Sequence, residues 1–277
     1  MGKIIDGKAM ANELLEQLAR EMRRKKLRPF LASILVGNNP DSVTYVRVKA
    51  RTCARIGIEN KVWHLPERTS EKTLLRLIKK LNADEKVNGI LVQLPLPRQI
   101  DQGKVLRAID PRKDIDGLHP INIGKTAAGD ETFPACTPSG VIYMLEKSGV
   151  RIAGKHVVII GRSLNVGRPL ALLLLNRDAT VTVCHSKTRN LASHTRQADI
   201  LIVAAGKPGL VKAGMVKRGA VVIDVGLTRI GDRMLGDVDF ERVRRKASLI
   251  SPVPGGVGPM TVAMLMQNTV RAAELQG

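Results

Sequence analysis

The stretch from His156 to Pro169, HVVII followed at once by GRSLNVGRP, constrains the fold more than any other part of the chain. A short run of β-branched residues closed by glycine and followed by an Ala/Leu-rich run predicts a buried parallel strand delivered into a helix N-terminus. The unpaired N–H groups of the first helical turn and the positive end of the helix dipole then face whatever lies over that turn. Gly161 and Gly167 allow backbone to approach it closely, and Val166 lies between the turn and the helix. The spacing is G-x-S-x-x-x-G, with Ser163 where the dinucleotide fingerprint G-x-G-x-x-G has its second glycine. Alone, this pattern fits an anion-binding turn and an ordinary strand-turn-helix alike.

The flanks add direction. Arg162 follows the first glycine, and the next strand, ATVTV, ends in Cys184, His185, Ser186 and Lys187. In doubly wound nucleotide folds that strand end meets the adenosine ribose, where an acid suits a free 2′-hydroxyl and basic or hydroxyl groups suit a 2′-phosphate. No acid stands there, so the pattern favours NADP over NAD. Lys187 also reads as a solvated loop cation.

The 277 residues suffice for two modest domains, and a hydrophobic content of 44% belongs to the globular class. Lys and Arg number 45 against 25 Asp and Glu, a formal charge of +20 that attracts polyanions. Nucleic acid is the first such partner to consider. Aromatics, however, make up only 2% of the chain, too few for a stacking platform, and the basic residues are scattered. A small substrate carrying carboxylates or phosphates accounts for the charge as well. Cys53, Cys136 and Cys184 are far apart with no C-x-x-C, which argues against a zinc site or a disulfide framework. With no secretory leader pattern and no apolar run near the roughly 20 residues that span a bilayer, the expected compartment is the cytoplasm.

In chain order, a short strand at Lys3 to Ile5 precedes an amphipathic helix from about Lys8 to Lys26, then the buried strand PFLASILVG. The helix SVTYVRVKARTCARIGI turns Val46, Cys53 and Ile56 inward and places Tyr45 and Lys49 one turn apart on one face. The pair resembles the Tyr-x-x-x-Lys of short-chain dehydrogenases, yet it precedes the nucleotide loop instead of following it. Ser70 caps a helix with an apolar stripe of Leu74, Leu75, Ile78 and Leu81. The strand ILVQLPLP must stop at its prolines, which leaves Gln93 at its carboxyl end. DPRKDIDGLHPINIGK reads as a loop in which Asp114 and Asp116 make turns. Thr137 or Ser139 is expected to cap the helix GVIYMLEKSG, with a domain boundary near Pro138. Beyond Lys187 come a helix near Leu191 to Gln197, the strands DILIVAAG and AVVIDVG, and LISPVPGGVGPMT. In that last run Pro254, Gly255, Gly256 and Gly258 give a bent, bare backbone suited to lying against a planar ligand. A closing helix is expected from Pro259 to Leu275.

Together YVRVK, GILVQLPLP, KDIDGLHPIN with PACTPSG, GRSLNVGRP with CHSKT, and PVPGGVGPMT resemble the bifunctional methylenetetrahydrofolate dehydrogenase/methenyltetrahydrofolate cyclohydrolase family nearly end to end. The resemblance implies a two-domain α/β fold. A folate-binding catalytic domain would span 1–138 and 262–277, and a Rossmann-like NADP-binding domain 139–261, with a cleft between them. It implies that Tyr45 stacks on the middle of the folate, that Lys49 carries the proton chemistry, that Gln93 positions Lys49, and that Asp116 anchors the pterin. On the cofactor side it implies Arg162 and Ser186 at the 2′-phosphate. Thr137, Gly161, Ser163, Val166, Gly167, His185, Thr228 and Pro254 to Gly256 would line the rest. It also implies tetrahydrofolate derivatives, including polyglutamylated ones, as substrates, a homodimer, and a place in one-carbon metabolism and purine biosynthesis; from the residues, no metal, no nucleic-acid partner and no membrane partner are expected. Thr228 departs from an Asn common in relatives, and Arg51 replaces a second lysine often found near Lys49. A dehydrogenase of the same layout acting on another small acid is the competing reading.

The implied chemistry sets a physical requirement. Hydride transfer to a nicotinamide needs orientation more than a base. Hydrolysis of the resulting methenyl bridge needs proton transfer near neutral pH, for which a free lysine, with a pKa of about 10.4, is too basic. Lys49 is therefore expected to be desolvated or to lie near other positive charge.

Overall fold

The computed structural model describes every residue except Asp232. In its first half, β1 (Lys3–Ile4) and α1 (Gly7–Lys25) are followed by β2 (Phe30–Val36), α2 (Pro40–Ile56), β3 (Glu59–Leu65) and α3 (Glu71–Ala83). Next come β4 (Gly89–Val92), α4 (Gln102–Ala108), α5 (Pro120–Ala127) and α6 (Cys136–Lys147). The second half contains β5 (His156–Ile160), α7 (Gly167–Leu175), β6 (Thr180–Cys184), α8 (Leu191–Thr195), β7 (Ile200–Val203) and β8 (Val221–Asp224). It closes with a hairpin of β9 (Thr228–Ile230) and β10 (Arg233–Leu235), then α9 (Phe240–Arg244), β11 (Leu249–Ile250) and α10 (Val257–Gln276). The chain divides into two compact units.

One unit comprises Glu13–Lys125, Glu131–Cys136 and Leu265–Gly277, and its parallel sheet has the order β3-β2-β4. Ala32, Ile34 and Val36 of β2 share a core with Ile90 and Val92 of β4 and with Leu74, Ile78 and Leu81 of α3. Burying each such Leu or Ile contributes about 1.5–3 kcal/mol. As the spacing predicts, Ser70 caps α3, its Oγ accepting from the Thr73 N–H at 3.2 Å. β4 ends at Val92, and the Gln93 N–H donates to the Ile34 carbonyl at 2.9 Å, which fixes Gln93 at the carboxyl edge of the sheet.

Three elements here differ from the sequence reading, the first being α4, a short helix capped by Asp101 that the reading passed over. The expected loop after Asp116 contains α5, held at its start by Asp114, which is 1% exposed and accepts from the His119 N–H and the Asn122 side chain. β3 was not expected at all. It is an edge strand of mixed polarity, ENKVWHL, with no buried residue, so it shows no clean alternation.

The other unit comprises Met1–Asn12, Thr126–Asp130 and Thr137–Met264. Its parallel sheet has the order β1-β11-β8-β7-β5-β6, around a core that includes Val158, Ile160, Leu201, Val203, Val222 and Ile250. The order reverses at β5, which lies between β6 on one side and β7 on the other. β1 pairs with β11, Lys3 opposite Leu249, so the first strand joins this sheet although the sequence reading grouped it with the residues up to 138. α6 begins at Cys136, which places Thr137 and Ser139 inside its first turn and not at its cap. The hairpin β9–β10, α9 and β11 are short elements that periodicity did not reveal, and α10 starts earlier than expected, at Val257.

Candidate active site

Four predicted catalytic residues, Tyr45, Lys49, Gln93 and Asp116, belong to the unit with the three-stranded sheet. α2 is held firmly at both ends. The Asn39 side chain accepts from the Asp41 and Ser42 N–H groups, both at 3.1 Å, Pro40 opens the helix, and Gly57 closes it at φ 92°. Val46, Cys53 and Ile56 face the interior as expected, and Tyr45 and Lys49 are half-buried.

The Lys49 ammonium donates to Gln93 Oε1 at 3.0 Å, while Gln93 Nε2 donates to the Leu94 carbonyl at 2.7 Å. The second bond fixes which end of the amide faces the lysine. Burial lowers the Lys49 pKa from the ordinary lysine value, against the opposing attraction of Asp116 and smaller effects of Cys136 and Cys53. Desolvation therefore outweighs charge pairing. The neighbouring thiols are neutral: burial pushes Cys53 up to about 12, and burial followed by the Asp116 charge raises Cys136 well above its usual range.

Asp116 is set by its backbone. Its carbonyl accepts from the Cys136 N–H at 3.2 Å, and Gly117, at φ 70°, lies so close to Pro134 and Ala135 that a side chain there would collide with their backbone. Asn268 braces the same place from α10, donating to the carbonyls of Ile115 at 2.9 Å and Pro134 at 3.2 Å. Sequence reasoning missed Asn268 and Cys136. Neither gave a local signal: Asn268 stands between Gln267 and Thr269 inside α10, with nothing to set it apart, and Cys136 is a lone cysteine.

All the predicted cofactor residues belong to the six-stranded unit. Gly161 has φ 127°, and a Cβ there would enter the Ala204 carbonyl, while one at Gly167 would enter the carbonyl of Gly161. Both glycines thus permit a backbone cradle. Ser163 Oγ accepts from the Val166 N–H at 3.2 Å, which ties the turn and leaves the hydroxyl proton as a donor. At the end of β6, His185 shapes the next turn: its N–H donates to Thr188 Oγ1 at 2.8 Å and its Nδ1 accepts from the Lys187 N–H at 3.2 Å. Arg162, Ser186 and Lys187 are exposed around this pair of turns. A bare glycine cradle beside cations and hydroxyls fits a nucleotide carrying an additional phosphate.

The remaining cofactor candidates are more strongly engaged by the protein. Thr137 Oγ1 accepts from Thr261 Oγ1 at 3.1 Å, and Thr228 is half-buried opposite Leu235. The Gly255 carbonyl accepts from the Lys8 N–H at 2.9 Å, and a Cβ on Gly7 would strike the Gly256 carbonyl. The bareness of the Pro254–Gly256 segment is therefore used at least in part by the protein's own backbone.

A doubly wound parallel sheet with a glycine cradle at its reversal, accompanied by an α/β unit bearing a desolvated lysine, defines a nicotinamide-nucleotide dehydrogenase equipped for acid–base chemistry. Residues 5–116 match the catalytic domain of tetrahydrofolate dehydrogenase/cyclohydrolase, and residues 135–277 match the NAD(P)-binding domain of the same family. The chain belongs to the tetrahydrofolate dehydrogenase/cyclohydrolase family. It is 54% identical to the bifunctional protein FolD of Halothermothrix orenii, covering 100% of both chains. Among solved structures it is similar to the bifunctional FolD methylenetetrahydrofolate dehydrogenase/cyclohydrolase of Campylobacter jejuni (48% identity, 100% of both chains, TM-score 0.97). It is also similar to the Trypanosoma brucei methylenetetrahydrofolate dehydrogenase-cyclohydrolase complexed with NADP and inhibitor (43% identity, 99% and 98% coverage, TM-score 0.95). These matches favour the folate reading over a dehydrogenase of another small acid. Among the described residues no helix is long and apolar enough to cross a membrane.

Proposed function

We infer that the chain oxidises 5,10-methylenetetrahydrofolate to 5,10-methenyltetrahydrofolate with NADP and hydrolyses the product to 10-formyltetrahydrofolate. The observation that carries the hydrolytic half is the desolvated Lys49 amine held at 3.0 Å by an amide whose orientation is itself fixed.

The chemistry that NADP would supply here, when bound, is acceptance of a hydride from the methylene carbon of the folate. For that step the protein orients its substrate, with Tyr45 stacking on the aromatic middle and Asp116 hydrogen-bonding the pterin. Arg162 and Ser186 would hold the 2′-phosphate, Ser163 would donate its hydroxyl proton to an anionic oxygen, and the Gly161–Gly167 cradle would admit the pyrophosphate. Thr137, Val166, His185, Thr228 and Pro254 to Gly256 complete this lining.

Hydrolysis proceeds through Lys49. Water adds to the cationic methenyl carbon, and the neutral amine of Lys49 takes the proton that water loses. The carbon–nitrogen bond to N5 then breaks as the carbinol hydroxyl gives up its proton to solvent and becomes the formyl carbonyl, and the Lys49 ammonium protonates N5, so that one proton is released overall. Gln93 keeps the amine in place between these transfers. Because burial favours the neutral amine, the base form of Lys49 is available at lower pH than in a free lysine.

The folate-binding part is assigned to 1–138 and 262–277 and the nucleotide-binding part to 139–261, with β1 lending its strand to the latter. The surplus of cations suits polyglutamylated folates. The enzyme is further proposed to act as a cytoplasmic homodimer supplying one-carbon units to purine biosynthesis. Lys49→Met is expected to lower the hydrolysis rate of the methenyl compound by about 10²–10⁴-fold, the usual worth of a positioned acid–base group. Full retention of that rate would remove Lys49 from the mechanism.

A further inference from the structure

We propose that Asp237, which no sequence pattern singled out, is a positioning residue for the nicotinamide nucleotide. In this role it pins the loop after β7 as one wall of the cofactor crevice. The proposal rests on the reading of the Gly161 turn as the nucleotide site.

The topology locates that crevice. Ligands of open α/β sheets lie beyond the carboxyl ends of the strands where the strand order reverses. In the order β8-β7-β5-β6 the reversal falls between β5 and β7. Gly161 follows β5, and Ala204 to Gly206 follow β7. The two segments touch so closely that a methyl group on Gly161 would enter the Ala204 carbonyl. Whatever fixes the backbone after Ala204 therefore fixes one side of the cradle.

Asp237 supplies that restraint. One of its oxygens, Oδ2, accepts from two consecutive N–H groups, those of Ala205 at 2.6 Å and Gly206 at 2.8 Å. The side chain is fully enclosed, at 0% exposure, and Oδ1 has no hydrogen-bond partner among the described residues. A buried acceptor left unpaired costs about 1–3 kcal/mol, so its retention calls for a reason. Holding two adjacent backbone donors with one oxygen provides it. Asp237 is in turn anchored by Asp224, whose Oδ1 accepts from the N–H groups of Asp237 and Gly226, both at 3.0 Å. Asp224 Oδ2 accepts from the Val238 N–H at 2.9 Å. Gly226 and Gly236 leave the room this arrangement needs, because a Cβ on either would meet the Asp237 or the Asp224 carboxyl group.

The test uses two variants of similar size in the full chain. Asp237→Leu fills the space but accepts nothing, whereas Asp237→Asn keeps a carbonyl oxygen for both N–H groups. Binding of NADP is measured by titration calorimetry, and hydrolysis of the methenyl compound is measured without NADP. Asp237→Leu is expected to weaken NADP binding at least tenfold, Asp237→Asn to recover most of that loss, and both to keep hydrolysis within about twofold. Loss of less than tenfold in Asp237→Leu overturns the proposal. So does loss of NADP-independent hydrolysis together with the fold, which would make Asp237 a general structural residue. A wild-type chain that hydrolyses the methenyl compound yet binds no NADP would instead overturn the nucleotide reading itself.

Discussion

Gly161→Ala tests whether the cradle after β5 is built by close backbone approach. At φ 127° an L-residue is strained, which costs on the order of 1–3 kcal/mol. The new Cβ also overlaps the Ala204 carbonyl, and relieving such overpacking costs about 1–3 kcal/mol more. The sum is about 2–6 kcal/mol. Gly57→Ala is the matched control, because Gly57 also has positive φ, at 92°, but a Cβ there meets nothing within 4 Å. It should lose only the conformational part. Denaturant unfolding of both variants isolates the contact contribution as their difference. If the turn relieves the overlap by moving away from Ala204, the loss appears instead in NADP affinity, at about tenfold per 1.4 kcal/mol. Calorimetric titration then shows binding weakened by about 5–140-fold, the contact part of about 1–3 kcal/mol converted at that rate. A Gly161→Ala protein that unfolds at the same midpoint as Gly57→Ala and binds NADP like the parent would refute the reasoning, since neither route would carry the predicted cost.

Leu74, fully buried between α3 and β2, should lose about 2–5 kcal/mol on replacement by Ala, read as a lower urea midpoint with an unchanged slope. Asp224 gives a prediction in pH. Burial raises its carboxyl to about 6, against the backbone N–H groups of Val238, Asp237 and Gly226, which favour the charged form. Between about 4 and 6 the folded chain thus binds a proton that the unfolded chain has released. The stabilisation from this group is complete below its unfolded pKa and is lost as pH rises through about 6. The melting-temperature difference between the parent and Asp224→Asn should therefore change across that interval, and a constant difference would exclude Asp224 as its source.

The parts of the fold that were legible had a strong period or a hard stop. HVVII, FLASILV and the α3 stripe announce their structure because each buries a continuous set of apolar side chains. Elements without that surplus escaped notice. β3 is a half-polar edge strand, and α5 is hidden by Asp, Gly and Pro that look like turn residues while Asp114 in fact holds the helix start. Local pattern also cannot say which sheet a two-residue strand joins, which is why β1 pairing with β11 had to be seen. The catalytic candidates were legible through whole motifs more than through single residues. Asn268, Cys136 and Asp237 act through contacts distant in sequence and gave no local signal.

The manner in which Lys49 is tuned bears on what the unusual charge of this protein does. The sequence left two routes to a lower pKa, burial or a neighbouring cation, and a chain of net charge +20 makes the second plausible. The structure selects burial, with Asp116 pulling in the opposite direction and the two nearby thiols held neutral. No like-charge repulsion is needed, so salt has little to screen at this site, whereas attraction of a polycarboxylate substrate to the surface is screened within about 8–10 Å. Under the proposed mechanism the cationic surplus and Lys49 are thus separate devices: the first would raise the local concentration of an anionic substrate, and the second, held between α2 and the carboxyl end of β4, would set the proton transfer.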